Sequence, residues 1–147
     1  MADVRLLHAP FDPAAELAAF AAACGTAGGI ASFLGQVRAG DGVECLELRH
    51  YAPLTLPGMQ DLARTTMARW PLEGLLILHR TGLMAPLDPI VLVAAAARHR
   101  RDALAAVDFA MDHLKSQSWF WKREKRGGAW QWIEPRTQDY ADLARWD

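Results

Sequence analysis

The longest uncharged apolar stretch of the chain runs from Pro89 to Ala97. It has less than half of the ~20 residues that a membrane-spanning helix needs, so we expect no membrane span. Its length is that of a β-strand, and a second apolar run, Leu75 to Thr81, precedes it across a proline-rich connection. In a chain of 147 residues with 52% hydrophobic residues, this pattern predicts a single globular domain over residues 1–147.

The N-terminus and the cysteines favour a cytoplasmic protein. Residues 1–5 contain an early acid, and no basic region leads into an apolar run with a cleavage site, so we expect no secretory signal. Cys24 and Cys45 lack a C-x-x-C pairing and a histidine at ligand spacing, which fits neither a disulfide framework nor a zinc site. We interpret both as small buried side chains, and we expect neither a metal ion nor an organic cofactor.

Capping residues and apolar spacing predict the helices. Asp12-Pro13 is typical of a helix start, and Gly25 of its end. Pro53 and Pro57 predict an irregular loop, followed by a helix over residues 58–70. Two further helices are predicted over residues 101–116, with an apolar stripe of Leu104, Val107, Met111 and Leu114, and over residues 138–146.

Short runs of alternating polarity predict the strands. Residues 28–38 and 43–51 are predicted to pair as a hairpin. Residues 119–126 and 129–134 are predicted to form a second hairpin, joined by Gly127-Gly128. The order of elements predicts an α+β fold, with helices packed on a largely antiparallel sheet.

Positive charge is concentrated in one part of the chain. The net charge is −1, yet eight cations and four acids lie between Arg98 and Arg126. Such a region is typical of an anion site, although a solvated surface would carry the same charges. All three lysines fall between Lys115 and Lys125, and only lysine offers a primary amine as base or nucleophile, so this cluster is a candidate catalytic site.

Single positions in this region allow two interpretations each. Lys115 lies at the edge of the apolar stripe, where partial desolvation would lower its pKa, but its position alone favours a lysine that extends to solvent. Lys122 shares a strand face with Glu124, which suits a functional role or a surface ion pair. His99-Arg100 precedes a helix and could bind an anion there, and Arg38 has Asp41 as its one obvious neighbour.

Six segments together resemble the large catalytic subunit of molybdopterin synthase in order and spacing. The resemblance covers roughly residues 25–147, and the loops at 52–57 and 86–89 depart from the family pattern. The segments are G-G-I-A-S-F-L-G-Q-V-R (28–38), H-R-T-G (79–82), A-R-H-R (97–100), M-D-H-L-K (111–115), F-W-K-R-E (120–124) and W-I-E-P-R (132–136).

The resemblance implies an α/β hammerhead fold with an additional small sheet, and a sulfurtransferase of molybdenum cofactor biosynthesis. In that family, two large subunits form a central homodimer, and a small ubiquitin-like subunit docks on each to give a heterotetramer. The small subunit inserts a C-terminal Gly-Gly tail that carries a thiocarboxylate. Its sulfur is transferred to cyclic pyranopterin monophosphate, and two transfers form the dithiolene of molybdopterin.

The resemblance also implies roles for individual residues. Lys115 would be the essential amine beside the thiocarboxylate and the reacting carbon, and Lys122 would act in the same catalytic site. Arg123 and Glu124 would help Lys122 to line the pocket for the tail and the pterin. The substrate's phosphate and pterin would be held by Gln36, Val37, Arg38, His99 and Arg100.

Two other classes of protein remain open from the residues alone. A nucleic-acid-binding module would use the same cations with Trp119, Phe120 and Trp121 as stacking surfaces. The balanced overall charge counts against it, so we expect no nucleic acid partner. A non-catalytic adaptor that grips a ubiquitin-like tail would differ in one respect, because sulfur transfer would not depend on Lys115.

Overall fold

The structure is a computed structural model that describes residues 1–117 and 119–147. The described residues form four helices and eight strands. The helices are α1 (Pro13–Ala23), α2 (Ala52–Arg69), α3 (Arg100–Ser116) and α4 (Thr137–Ala144). The strands are β1 (Ala2–Leu7), β2 (Gly29–Gln36), β3 (Val43–His50), β4 (Leu72–Arg80), β5 (Gly82–Met84), β6 (Pro89–Ala97), β7 (Phe120–Arg126) and β8 (Ala129–Ile133). No helix in these two ranges is long and apolar enough to cross a membrane.

The first sheet has the strand order β1-β4-β6-β2 and lies between two layers of helix. Both apolar runs of the sequence became its central strands, β4 and β6. Their side chains alternate between the two faces: Ile77 and Val93 pack towards α2 and α3, whereas Leu76 and Leu92 pack towards Phe20 of α1. Only the β1–β4 pair is parallel in this sheet, so the prediction of a largely antiparallel α+β fold is confirmed.

The second sheet has the order β5-β3-β7-β8, and all of its strand pairs are antiparallel. One face packs Leu46, Leu48 and Met84 into a small core. The opposite face carries exposed Trp121 and Trp132. This is the additional small sheet that the resemblance implied.

Several local predictions are confirmed. Asp12 caps α1, because its Oδ1 accepts hydrogen bonds from the backbone nitrogens of Ala14 and Ala15 at 3.0 and 3.2 Å. Gly127 and Gly128 join β7 to β8 with positive φ angles of 55° and 78°, as a tight hairpin turn requires. The prediction that both cysteines are buried is confirmed for Cys24 and wrong for Cys45, which is half-buried; both thiols are free.

The predicted hairpin of residues 28–38 and 43–51 is wrong. Its strands belong to different sheets: β2 pairs with β6, and β3 pairs with β5 and β7. The alternating pattern identifies a strand but does not specify its partner. The apolar β6 takes β4 on one side and β2 on the other, and that buries more surface than a local hairpin would.

The loop predicted for residues 53–57 is also wrong, because α2 already begins at Ala52. Pro53 stands in the first turn, where its missing N–H costs no helical hydrogen bond. Thr55 is fully buried and donates a hydrogen bond to the carbonyl of Trp119 at 2.7 Å. This tertiary contact fixes the turn that contains Pro57, and the proline-based prediction could not include it.

The apolar stripe predicted for α3 is confirmed at Val107 and Leu114, which are buried, and is wrong at Leu104. Leu104 is 54% exposed, whereas Ala103, Ala106 and Ala110 are fully buried. These alanines let the helix lie close to the sheet, so the small residues face inward and Leu104 is displaced to solvent. Strand β5 was not predicted; its three residues begin at Gly82, whose φ of +95° suits glycine.

Candidate functional site

A cavity of about 640 Å³ lies where the two sheets meet the end of α3. Its walls come from the end of β2 and the residues after it, from the last turn of α3, from β7, and from the segment that leads into α4. The floor is apolar and includes Ile90, Leu114 and Phe120. Charged side chains line the walls, so the cavity combines an apolar base with polar groups that could orient a ligand.

Three cations in this cavity have no carboxylate within ion-pair distance among the described residues: Arg38, Lys115 and Lys122. Two other cavity cations are paired. Arg126 binds Glu124 at 3.0 Å, and Arg136 binds Asp139 at 3.0 Å. Two carboxylates of the lining, Asp41 and Glu134, also have no ion pair among the described residues, so three unpaired cations outnumber two unpaired acids and leave a small positive excess for an anionic ligand.

Lys115 stands in the last turn of α3, next to buried Leu114. Its side chain is open to the cavity, but the surrounding walls remove part of its water. This desolvation lowers the pKa of Lys115, and the positive charge of Lys122 lowers it further. Asp139 acts in the opposite direction. A lysine of this kind can exchange a proton more readily than an ordinary surface lysine.

Six of the residues selected from the sequence line this cavity. They come from three separate parts of the chain and are Gln36, Val37, Arg38, Lys115, Lys122 and Glu124. Val37 is buried and contributes its backbone: its nitrogen donates to the carbonyl of Asp88 at 2.9 Å, and its carbonyl accepts from Leu87 at 2.7 Å. These two bonds fix the segment from which Arg38 extends.

Arg123 lies on the opposite face of the second sheet, since neighbouring residues of a strand point to opposite sides. Its Nε donates to Glu47 at 2.8 Å, and its guanidinium lies 4.1 Å from the centre of the Trp130 ring. Arg123 is thus neutralised and covered away from the cavity.

His99 and Arg100 lie at the start of α3, directly after β6, and do not line the cavity. The cavity is at the other end of β6, near Val91. Ala97 lies six steps along the strand from Val91, which corresponds to about 20 Å. Within one chain, these two residues are therefore not next to Arg38.

The structure adds residues that the sequence-based selection missed. Arg136 and Asp139 line the cavity from the segment around the start of α4, and His79 lies at its base. The W-I-E-P-R and H-R-T-G segments contain Arg136 and His79, so the motifs pointed to both positions without giving either one a role.

The fold and the cavity define a class: an α+β protein with a cation-lined pocket suited to a small anionic ligand. Comparison with known proteins narrows this class. The family model described as "MoaE protein" matches residues 6–117. The molybdopterin synthase catalytic subunit of Ralstonia nicotianae is 42% identical over 149 residues, which cover 99% of this chain and 85% of that protein.

Two solved structures have the same fold. The molybdopterin biosynthesis MoaE protein from Burkholderia ambifaria superposes with a TM-score of 0.84 at 42% identity, covering 99% of this chain and 98% of that one. A complex of subunits 1 and 2 of molybdopterin-converting factor from Helicobacter pylori contains a chain that matches with a TM-score of 0.78 at 18% identity. That match covers 90% of this chain and 91% of the other, and it concerns the fold. The chain belongs to the MoaE family.

Proposed function

We propose that this chain is the catalytic subunit of a molybdopterin synthase and that it transfers sulfur to cyclic pyranopterin monophosphate. The observation that carries the proposal is that Arg38, Lys115 and Lys122 line one cavity with an apolar floor. None of the three has an ion-pair partner among the described residues. A phosphorylated heterocycle matches this site, because its phosphate suits the cations and its ring suits the floor.

Lys115 is the proposed catalytic amine. Sulfur transfer to the pterin requires proton movement near the reacting carbon, and an amine with a lowered pKa can accept and return a proton more readily than an ordinary surface lysine. Lys122 supports this role in two ways: its charge lowers the pKa of Lys115, and it faces the same cavity. Gln36, Val37, Arg38 and Glu124 complete the proposed binding site.

The proposed sulfur donor is the thiocarboxylated Gly-Gly tail of a small ubiquitin-like subunit. The Helicobacter pylori protein with this fold is described in complex with a second subunit. A Gly-Gly tail has no side chains, so it can enter a cavity that a bulkier peptide could not. The cations would then attract the thiocarboxylate as well as the phosphate.

We also propose that two copies pair through the edge of β2, within a heterotetramer. Strand β2 is an edge strand and exposes Ile30, Phe33 and Leu34. Antiparallel pairing over the full length of two β2 strands around a twofold axis would bring Gly29 of one copy opposite Gln36 of the other. Arg100 is a close neighbour of Gly29: its Cα lies 3.4 Å from the point that a Cβ would occupy on this glycine.

This pairing would give His99 and Arg100 a place in the binding site. They lie far from the cavity of their own chain, but they would lie beside the cavity of the second copy. Both residues would then bind the substrate across the dimer. We propose further that residues 1–147 form one domain, since both sheets build the cavity. The cytoplasmic location stays a prediction from the sequence.

The decisive experiment combines the protein with a thiocarboxylated small subunit and the cyclic pterin, followed by an assay for dithiolene formation. Product that requires all three components supports the proposal, and its absence with a folded complex contradicts it.

A subunit-mixing experiment tests the dimer. Lys115→Ala and Arg100→Ala copies, each inactive alone, should recover about a quarter of wild-type activity when randomly paired, because one site in each mixed dimer is intact. No recovery in confirmed mixed dimers would place Arg100 in its own chain's site, and an Arg100→Ala copy that is active alone would place it outside any site.

A further inference from the structure

His79 belongs to the H-R-T-G segment, to which neither the charge pattern nor the proposed function gives a role. It stands near the end of β4, is only 7% exposed, and lies at the base of the cavity that contains Lys115. A polar ring in such a place is costly to bury unless its hydrogen-bonding groups are used.

The orientation of the ring is fixed on two sides. His79 stacks on Phe120 of the second sheet, with 3.9 Å between ring centres and 18° between planes. Its Nδ1 lies 3.0 Å from the carbonyl oxygen of Arg80. Because a carbonyl can only accept, Nδ1 carries the hydrogen, and Nε2 of the neutral ring is left with a lone pair.

The lone pair of Nε2 has no donor within hydrogen-bond distance among the described residues. In the same part of the chain, Arg80 Nε is the one fully buried side-chain nitrogen or oxygen without a partner, so Nε2 is not sealed in the core. His79 lines the cavity, so the cavity is the space from which a ligand donor could reach Nε2.

The ring also stays neutral under working conditions. Burial lowers the pKa of His79 to about 4, with a further contribution from the charge of Lys115, while the bond to Arg80 acts in the opposite direction. At neutral pH the ring is therefore a hydrogen-bond acceptor and not a cation.

We propose that His79 Nε2 accepts a hydrogen bond from an N–H group of the bound heterocycle and so contributes to the selection of an N–H-bearing ring. This inference rests on the proposed function, because it assigns the ring of the substrate to the base of the cavity. Arg38 and the ammonium of Lys122 can only donate, so they hold the phosphate, whereas His79 offers a neutral acceptor on the floor.

Two substitutions distinguish the contribution of Nδ1 of His79 from that of Nε2. In His79→Asn, the side-chain amide takes the position of Nδ1 and can still donate to Arg80, but nothing replaces Nε2. In His79→Gln, the amide reaches the position of Nε2 and can present its oxygen to the cavity, but the bond to Arg80 is lost. The measurements are the dissociation constant for cyclic pyranopterin monophosphate without the small subunit, and the melting temperature.

The inference predicts opposite effects on the two measurements. His79→Asn should bind the pterin about tenfold more weakly, the scale of one neutral hydrogen bond, and melt near the wild-type temperature. His79→Gln should bind within about threefold of wild type and melt at a lower temperature, because the buried carbonyl loses its donor. Binding of inorganic phosphate should be unchanged in both variants.

Wild-type pterin affinity in His79→Asn would overturn the inference. Equal losses of affinity in both variants would also overturn it, because they would mean that His79 serves only to hold the carbonyl of Arg80. If His79→Asn shifts the pH dependence of turnover without changing affinity, the acceptor serves Lys115 and not the substrate, which also overturns it. A wild-type protein that binds the pterin but forms no dithiolene contradicts the proposed function alone, because the His79 result depends on binding.

Discussion

The two faces of β7 carry the same kind of charge and use it differently. On the face towards the cavity, Lys122 has no carboxylate partner among the described residues. On the other face, Arg123 is held by Glu47 and covered by Trp130. A sequence count treats both as members of one basic cluster. The difference between the two faces shows what distinguishes a binding site from a stabilised surface. A binding site has cations without a protein partner, whatever the total number of cations.

The largest expected effect is on the cavity side, from Lys115→Arg. This change keeps the charge but removes an amine that can release its proton. We expect turnover to fall by about 100-fold or more, with folding and small-subunit binding retained. Lys122→Arg is the matched control and should be tolerated better. Wild-type turnover by folded Lys115→Arg would favour the adaptor interpretation.

Arg38→Ala should have the next largest effect. The side chain lines the cavity and has no ion pair among the described residues, so its loss removes a charged hydrogen bond to the substrate's phosphate. We expect binding of the cyclic pterin to weaken by about 1.5–3 kcal/mol, measured by titration calorimetry. Unchanged affinity would mean that the phosphate binds elsewhere.

The pH dependence of turnover should respond in opposite directions to two further changes. Lys122 lowers the pKa of Lys115, so Lys122→Gln should raise that pKa and move the rising limb of the profile to higher pH. Asp139 raises the pKa of Lys115, so Asp139→Asn should move the limb to lower pH. Shifts in the same direction would contradict the assignment of this limb to Lys115.

On the outer face, Arg123→Ala should affect stability and leave chemistry unchanged. The substitution removes a partly exposed ion pair with Glu47 and a cation–π contact with Trp130. We expect a loss of about 1 kcal/mol in the free energy of unfolding, measured by urea denaturation. A large fall in turnover at unchanged stability would show that the outer face takes part in catalysis.

The smallest expected effect comes from the double change of Cys24→Ser and Cys45→Ser. The proposed sulfur arrives on the partner's tail, so turnover should stay near wild type, apart from a packing cost at buried Cys24. A folded double variant that has lost sulfur transfer, with a persulfide trapped on either cysteine of the wild type, would reassign the donor.

Sequence patterns predicted the features that depend on neighbouring residues. Asp12-Pro13 and Gly127-Gly128 set a cap and a turn by local geometry, and both were predicted correctly. The alternation along β7 likewise placed Lys122 and Glu124 on one face. These signals need no knowledge of the rest of the fold.

Features that depend on distant packing could not be predicted in this way. The partner of β2 is set by the apolar β6, and the start of α2 is set by the contact between Thr55 and Trp119. The distance between Arg100 and Arg38 likewise depends on strand order. The function of His79 depends on which of its two nitrogens is already bonded.

The most direct test of the difference between the two faces of β7 uses the variants Lys122→Ala and Arg123→Ala. Their affinities for cyclic pyranopterin monophosphate are measured side by side. The two residues are adjacent and cationic, and they differ in the face that they occupy. Our account predicts that Lys122→Ala binds about tenfold more weakly or worse, and that Arg123→Ala binds within about twofold of wild type. Equal losses, or a larger loss in Arg123→Ala, would contradict it.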